Sequence, residues 1–117
     1  GAYSYNFDAA ATFPDVSVTV GSSILMPDVT ILLVDSRFSA DIVVTDQGYS
    51  ADMIVCKGGA YSGKTIKVSN SALMPDISVL VSKSALMPDS RLYYDSDIFT
   101  LEEAAALAPA IWFVNRN

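Results

Sequence analysis

There is no histidine in this chain. That removes the commonest general base and the commonest metal ligand. There is one cysteine, Cys56. No intrachain disulfide forms, and a zinc site of four thiolates is excluded. Cys56 closes the apolar run Met53-Ile-Val-Cys56. With no histidine to activate it, it reads as an inert thiol rather than a nucleophile. Basic residues are few: 7 Lys and Arg against 13 Asp and Glu, for a net charge of -6. An acidic chain without a basic stripe repels phosphate backbones, so nucleic acid is not an expected partner. Nor is there an apolar run of about 18 residues, the length that spans a bilayer as a helix. The opening Gly1-Ala2 carries no initiator Met and reads as the scar of a removed segment. A removed signal peptide would make the protein secreted or periplasmic.

The chain does have apolar residues, at 51 %, and only 17 % charge, enough to build a core. Its length of 117 residues fits one domain. Val, Ile, Thr and Tyr favour strands. Internal repeats set the architecture. Ser-Ala-Leu-Met-Pro-Asp occurs at 71–76 and at 84–89, Ile-Leu-Met-Pro-Asp at 24–28, and Phe-Pro-Asp at 13–15. Ser-Ala-Asp occurs at 39–41 and 50–52, with Ser-Gly-Lys in that slot at 62–64. The slot thus holds Asp15, Asp28, Asp41, Asp52, Lys64, Asp76 and Asp89, spaced 13, 13, 11, 12, 12 and 13 residues apart. A short β-rich run follows each, at 16–20, 29–34, 42–45, 53–56, 65–68, 77–81 and 90–94. Before each slot after the first stands an apolar residue: Leu25, Phe38, Tyr49, Tyr61, Leu73 or Leu86. These read as anchors packed into the corner.

Such a unit is too short for a helix and a strand. Successive strands either reverse as an antiparallel meander or wind into a stack about 4.8 Å per layer. The reading adopted is all-β: a compact, solenoid-like stack of seven single-strand repeats over 14–96, after an N-terminal segment 1–13. Leu32, Val43, Ile54, Ile66 and Leu80 fall on the opposite parity from Val18 or Ile31, so several strands look apolar on both faces. Thr100-Leu-Glu-Glu103 is a capping box. It predicts a short helix over 101–108, ended by Pro109, with 110–114 a last strand or plug. The stretch 3–7 is expected to pair at the other end.

The stretch Val34-Asp-Ser-Arg-Phe-Ser-Ala-Asp41, followed by a strand, resembles the septknot family of small bacterial repeat proteins. Their unit looks like V-D-S-x-[YF]-x-A-D. Thr45-Asp-Gln-Gly-Tyr-Ser-Ala-Asp52 and Ala60-Tyr-Ser62 carry it on, while the Leu-Met-Pro-Asp units depart from it. The resemblance implies a knotted winding and no known activity.

Three motifs invite chemistry. Gly58-Gly-Ala-Tyr-Ser-Gly-Lys-Thr65 matches the phosphate-cradling loop of nucleotide hydrolases. That mechanism needs a helix to begin at Lys64-Thr65, and Ile66-Lys-Val-Ser reads as strand. The column Asp15, Asp28, Asp41, Asp52, Asp76 and Asp89 could ligate Ca²⁺, or could fix corners by accepting local backbone N–H groups. Asp35, Asp46, Asp95, Glu102 and Glu103 offer carboxylates without a fixed pair. Tyr93, Tyr94 and Trp112 are candidates for an interaction face. The expectation is a non-enzymatic scaffold without a cofactor, which self-associates or binds a protein. The alternative is a module for Ca²⁺ or a surface ligand.

Overall fold

A computed structural model describes residues 4–46, 54–58, 63–70 and 74–116. Eight strands form: β1 (Ser4–Phe7), β2 (Val16–Gly21), β3 (Val29–Leu33), β4 (Ile42–Thr45), β5 (Ile54–Lys57), β6 (Lys64–Ser69), β7 (Ile77–Ser82) and β8 (Ser90–Asp95). One helix, α1 (Leu101–Asn115), follows. The strands make a single parallel sheet in the order β4-β8-β3-β7-β2-β6-β1-β5.

This order overturns the solenoid-like stack. In a solenoid each repeat pairs with the next, whereas here no two consecutive strands are neighbours. The chain lays β1 to β4 in alternate places, then returns and fills the gaps with β6 to β8. Ser4 stands opposite Ile54, Val16 opposite Ile66, Val29 opposite Val79, and Ile42 opposite Leu92. Every strand of the first pass therefore meets on one flank the residue fifty positions later. Tyr5 opposite Lys64, Val18 opposite Ile77 and Ile31 opposite Ser90 give the other flank. Seven repeats were expected, and β1 makes eight strands.

Each strand is displaced by two residues along its neighbour: Val16 opposes Ile66 on one flank of β2, and Val18 opposes Ile77 on the other. An even displacement keeps side-chain parity, whereas an odd one would turn every apolar residue outward. Val16, Val18, Val20, Ile31, Ile66, Ile77, Val79 and Leu92 accordingly share one buried face. Ile66 belongs to this face rather than to the opposite one. A sheet so staggered curls, because stagger and curvature are linked. It forms a half-barrel around α1.

The other face is mostly small and polar, with Ser17, Thr19, Lys67, Ser78 and Ser82 among half-buried Leu32 and Leu80. Lys67 Nζ of β6 donates to Ala11 O at 3.0 Å. The segment joining β1 to β2 thus passes over the strand that lies between them.

Helix α1 opens as expected. Thr100 Oγ1 accepts from Glu103 N–H, and Glu103 Oε1 accepts from Thr100 N–H. It does not end at Pro109, and 110–114 are helical rather than a strand or plug. An internal proline costs about 3 kcal/mol. Burial offsets this: Ala104, Ala105, Ala106, Pro109 and Ala110 are buried against the sheet, where small side chains permit close approach. Glu103 also meets Lys57 Nζ at 3.0 Å, tying the helix start to β5.

Candidate interaction surface

The repeated aspartates are clamps between strands. Asp28 N–H donates to Ser78 O at 3.0 Å, and Ser78 N–H donates back to Asp28 Oδ2 at 2.8 Å. Asp15 does the same with Thr65 (2.9 and 2.7 Å), and Asp41 with Arg91 (2.9 and 2.8 Å). Asp76 with Ser17 (3.0 and 2.8 Å) and Asp89 with Thr30 (2.9 and 2.7 Å) complete the set. A carboxylate receiving a backbone N–H is a charge-assisted bond. The aspartates do accept backbone N–H groups, as the corner reading supposed. The donors lie 50 or 59 residues away, so these are staples between the two passes rather than local turns.

Each carboxylate stands just ahead of a different strand. Calcium needs several oxygens within about 2.6 Å of one point. Among the described residues no three His, Cys, Asp or Glu side chains come together in that way. Asp52 lies outside the described residues.

The slot in β6 is held by Gly63 rather than Lys64. Asp15 pairs with Thr65, and every other clamp joins an Asp to the residue two past the neighbouring slot. Gly63 has φ +126°, and a Cβ there would lie 2.6 Å from Ser4 O. Its glycine answers to the close approach of the Ser4 backbone. Lys64 and Thr65 open strand β6, so the helix N-terminus that phosphate cradling requires does not form there.

Just upstream of the clamps stands the surface that reasoning from sequence missed. Phe13, Leu25, Met26, Phe38, Met74, Leu86 and Met87 are each between 90 % and 95 % exposed. Leu25, Phe38 and Leu86 are therefore not packed anchors. Tyr49, Tyr61 and Leu73 lie outside the described residues. In sheet order the exposed residues precede β2, β7, β3, β8 and β4, five neighbouring strands. The strand spacing and two-residue stagger set successive positions about 8 Å apart, within mutual reach of long side chains. Monomers rarely expose apolar patches beyond a few hundred Å². Met26 has φ 54°, a left-handed conformation that a long side chain before proline rarely adopts. One signal was present in the sequence: Leu-Met ahead of Pro-Asp puts two adjacent bulky residues in a tight connection, which cannot bury both.

Tyr93, Tyr94 and Trp112 do not form one face. Tyr94 lies on the helix side, opposite Val44, and its hydroxyl donates to Ser96 O at 3.1 Å and Phe99 O at 2.6 Å. Desolvation, and then the charge of Glu102, pushes its pKa up. Tyr93 points to the opposite face, half-buried. Trp112 is 57 % exposed on α1, with the Arg116 guanidinium 4.9 Å from its ring centroid. Asp46 accepts from Ser96 Oγ at 2.6 Å and Asp97 N–H at 2.7 Å, which hold its carboxyl below its ordinary value. It ties the end of β4 to the turn after β8. Cys56 is half-buried in β5.

A comparison with models of known protein families gives no match to the chain, and a comparison with curated proteins gives none.

Proposed function

We propose that this protein is a non-enzymatic interaction scaffold whose working surface is the apolar rim. The observation that carries the reading is the row of seven almost fully exposed Phe, Leu and Met side chains ahead of five adjacent strands. Burying each in a partner would contribute about 1.5–3 kcal/mol. Methionine suits such a surface because its flexible thioether adapts to different shapes. The clamps tie the backbone beside the row to the sheet, so the ordering required on binding is chiefly that of the side chains.

Charge specifies the partner. The row runs beside the exposed carboxylates Asp15, Asp28, Asp41, Asp76 and Asp89. Two copies meeting rim to rim would oppose like charges. A polypeptide with an apolar ridge flanked by Lys or Arg satisfies both features.

The test is titration with an amphipathic leucine–lysine helical peptide and its leucine–glutamate counterpart. The wild-type protein should bind the first at least tenfold more tightly, with affinity falling as salt rises. The variant Met26→Ser/Met74→Ser/Met87→Ser should lose most of that binding. Equal affinity for the two peptides, or an unaffected triple variant, would refute the reading.

A further inference from the structure

The winding obeys one rule: each strand is laid two places beyond the last. The skipped place is filled in the other pass, so that β6 lies between β1 and β2, β7 between β2 and β3, and β8 between β3 and β4. Carried round the open side of the curl, the same step from β4 to β5 skips one more place. No described strand occupies it. Among the described residues β4 is paired only with β8, and β5 only with β1.

The space between these two edges is a cleft of about 690 Å³, within the range of ligand sites. Val43 and Val55 stand on its two sides, with Phe7, Phe99, Leu107 and Ile111 among its apolar lining. Trp112 also lines it.

The clamps give a second and independent indication. Ser17, Ser78, Thr30 and Arg91 each stand two residues past a slot, and each gives its backbone N–H to the Asp of the adjoining strand. Val43 stands two residues past Asp41, the same point in β4. No described aspartate receives its N–H.

We infer that the cleft between β4 and β5 binds an extended segment of a partner polypeptide as a ninth parallel strand. The segment has the chemistry of the repeat itself: an Asp, whose carboxylate takes the Val43 N–H, then β-branched residues at alternate positions facing Leu107 and Ile111. Strand addition of this kind takes affinity from the main chain and selectivity from alternate side chains. The cleft meets the rim only at Asp41, which lines both, and its occupant enters as a strand.

The probe is the synthetic peptide Asp-Ile-Ser-Val-Leu-Val-Ser, which copies residues 76–82. Trp112 is the chain's one tryptophan and lines the cleft, so its emission reports occupancy. Emission should shift saturably, and the Val43 amide should gain protection from hydrogen exchange. Replacing the peptide's Asp by Ala should weaken binding at least fivefold. Replacing its central Val by Pro, which removes a ladder N–H and forbids a paired strand, should abolish it. No emission shift and no protection at Val43 with millimolar peptide would overturn the inference. So would an equal response to the proline peptide.

Discussion

Val18, Ile31, Ile66 and Val79 on the concave face of the sheet are shut into one core with the alanines of α1, whereas Met26, Met74, Met87 and Phe38 at its rim stand in solvent. Both sets are strongly apolar and both recur through the repeats. The difference lies in what the backbone does at each place. Inside a strand, alternation sends every second side chain to one face, and the two-residue stagger preserves that face across all eight strands. In the connection, the chain must cross a neighbouring strand and then turn at Pro-Asp. The residue before the turn has no layer to enter. Apolar periodicity within strands therefore builds stability, and apolar periodicity at the turns builds a surface.

The largest effect expected from this contrast belongs to the concave face. Ile66 is fully buried between β1 and β2, and Ile66→Ala should cost about 2–5 kcal/mol by denaturant titration, through lost burial and a residual cavity. A loss under 1 kcal/mol would mean that this face is not the core. Next comes the glycine pair. Gly63→Ala combines positive φ with a Cβ 2.6 Å from Ser4 O and should cost about 1–3 kcal/mol. Gly58, with φ +98° but nothing within 4 Å of its added Cβ, should tolerate Ala better. If the two substitutions were equal, conformational strain alone would account for both, and the close approach at Ser4 would not matter. The smallest effect concerns a single staple. Asp89→Ala removes the acceptor for Thr30 N–H and should cost about 1 kcal/mol, seen as a modest drop in melting temperature. Its exposure to solvent keeps the cost small, since water replaces the lost acceptor. A loss of cooperative folding would mean that the clamps, not the concave face, hold the strands in order.

Strand positions were legible in the sequence because β-branched alternation and the Asp slots mark them: the run expected at 77–81 is β7, and that at 29–34 is β3. Strand order was not. Val16, Val29 and Ile77 carry interchangeable side chains at equivalent points, so any two repeats could pair, and nothing local records that partners lie 50 and 59 residues apart. The aspartates showed what they bond but not to whom, for the same reason. Pro109 reads as a helix end in sequence because its cost is local, while the burial that offsets it comes from the sheet. The rim is hidden from sequence because Leu25, Phe38 and Leu86 have the residue type of packed anchors, and only the course of the connection leaves them in solvent. Ser62-Gly-Lys64 matches the Ser-Ala-Asp units in a way that points to Lys64, and only the pairing of Asp15 with Thr65 shifts the slot to Gly63.

The central claim is that the rim serves recognition and not folding. It is tested most directly by thermal unfolding of Met26→Ser/Met74→Ser/Met87→Ser beside wild type, each with and without the leucine–lysine peptide. The account predicts nearly equal melting temperatures without peptide, because side chains more than nine-tenths exposed contribute little to stability. It also predicts that the peptide raises only that of wild type, since a ligand of the folded state stabilises by mass action. A variant that melts far below wild type in the absence of peptide would contradict it, because the rim would then be part of the core.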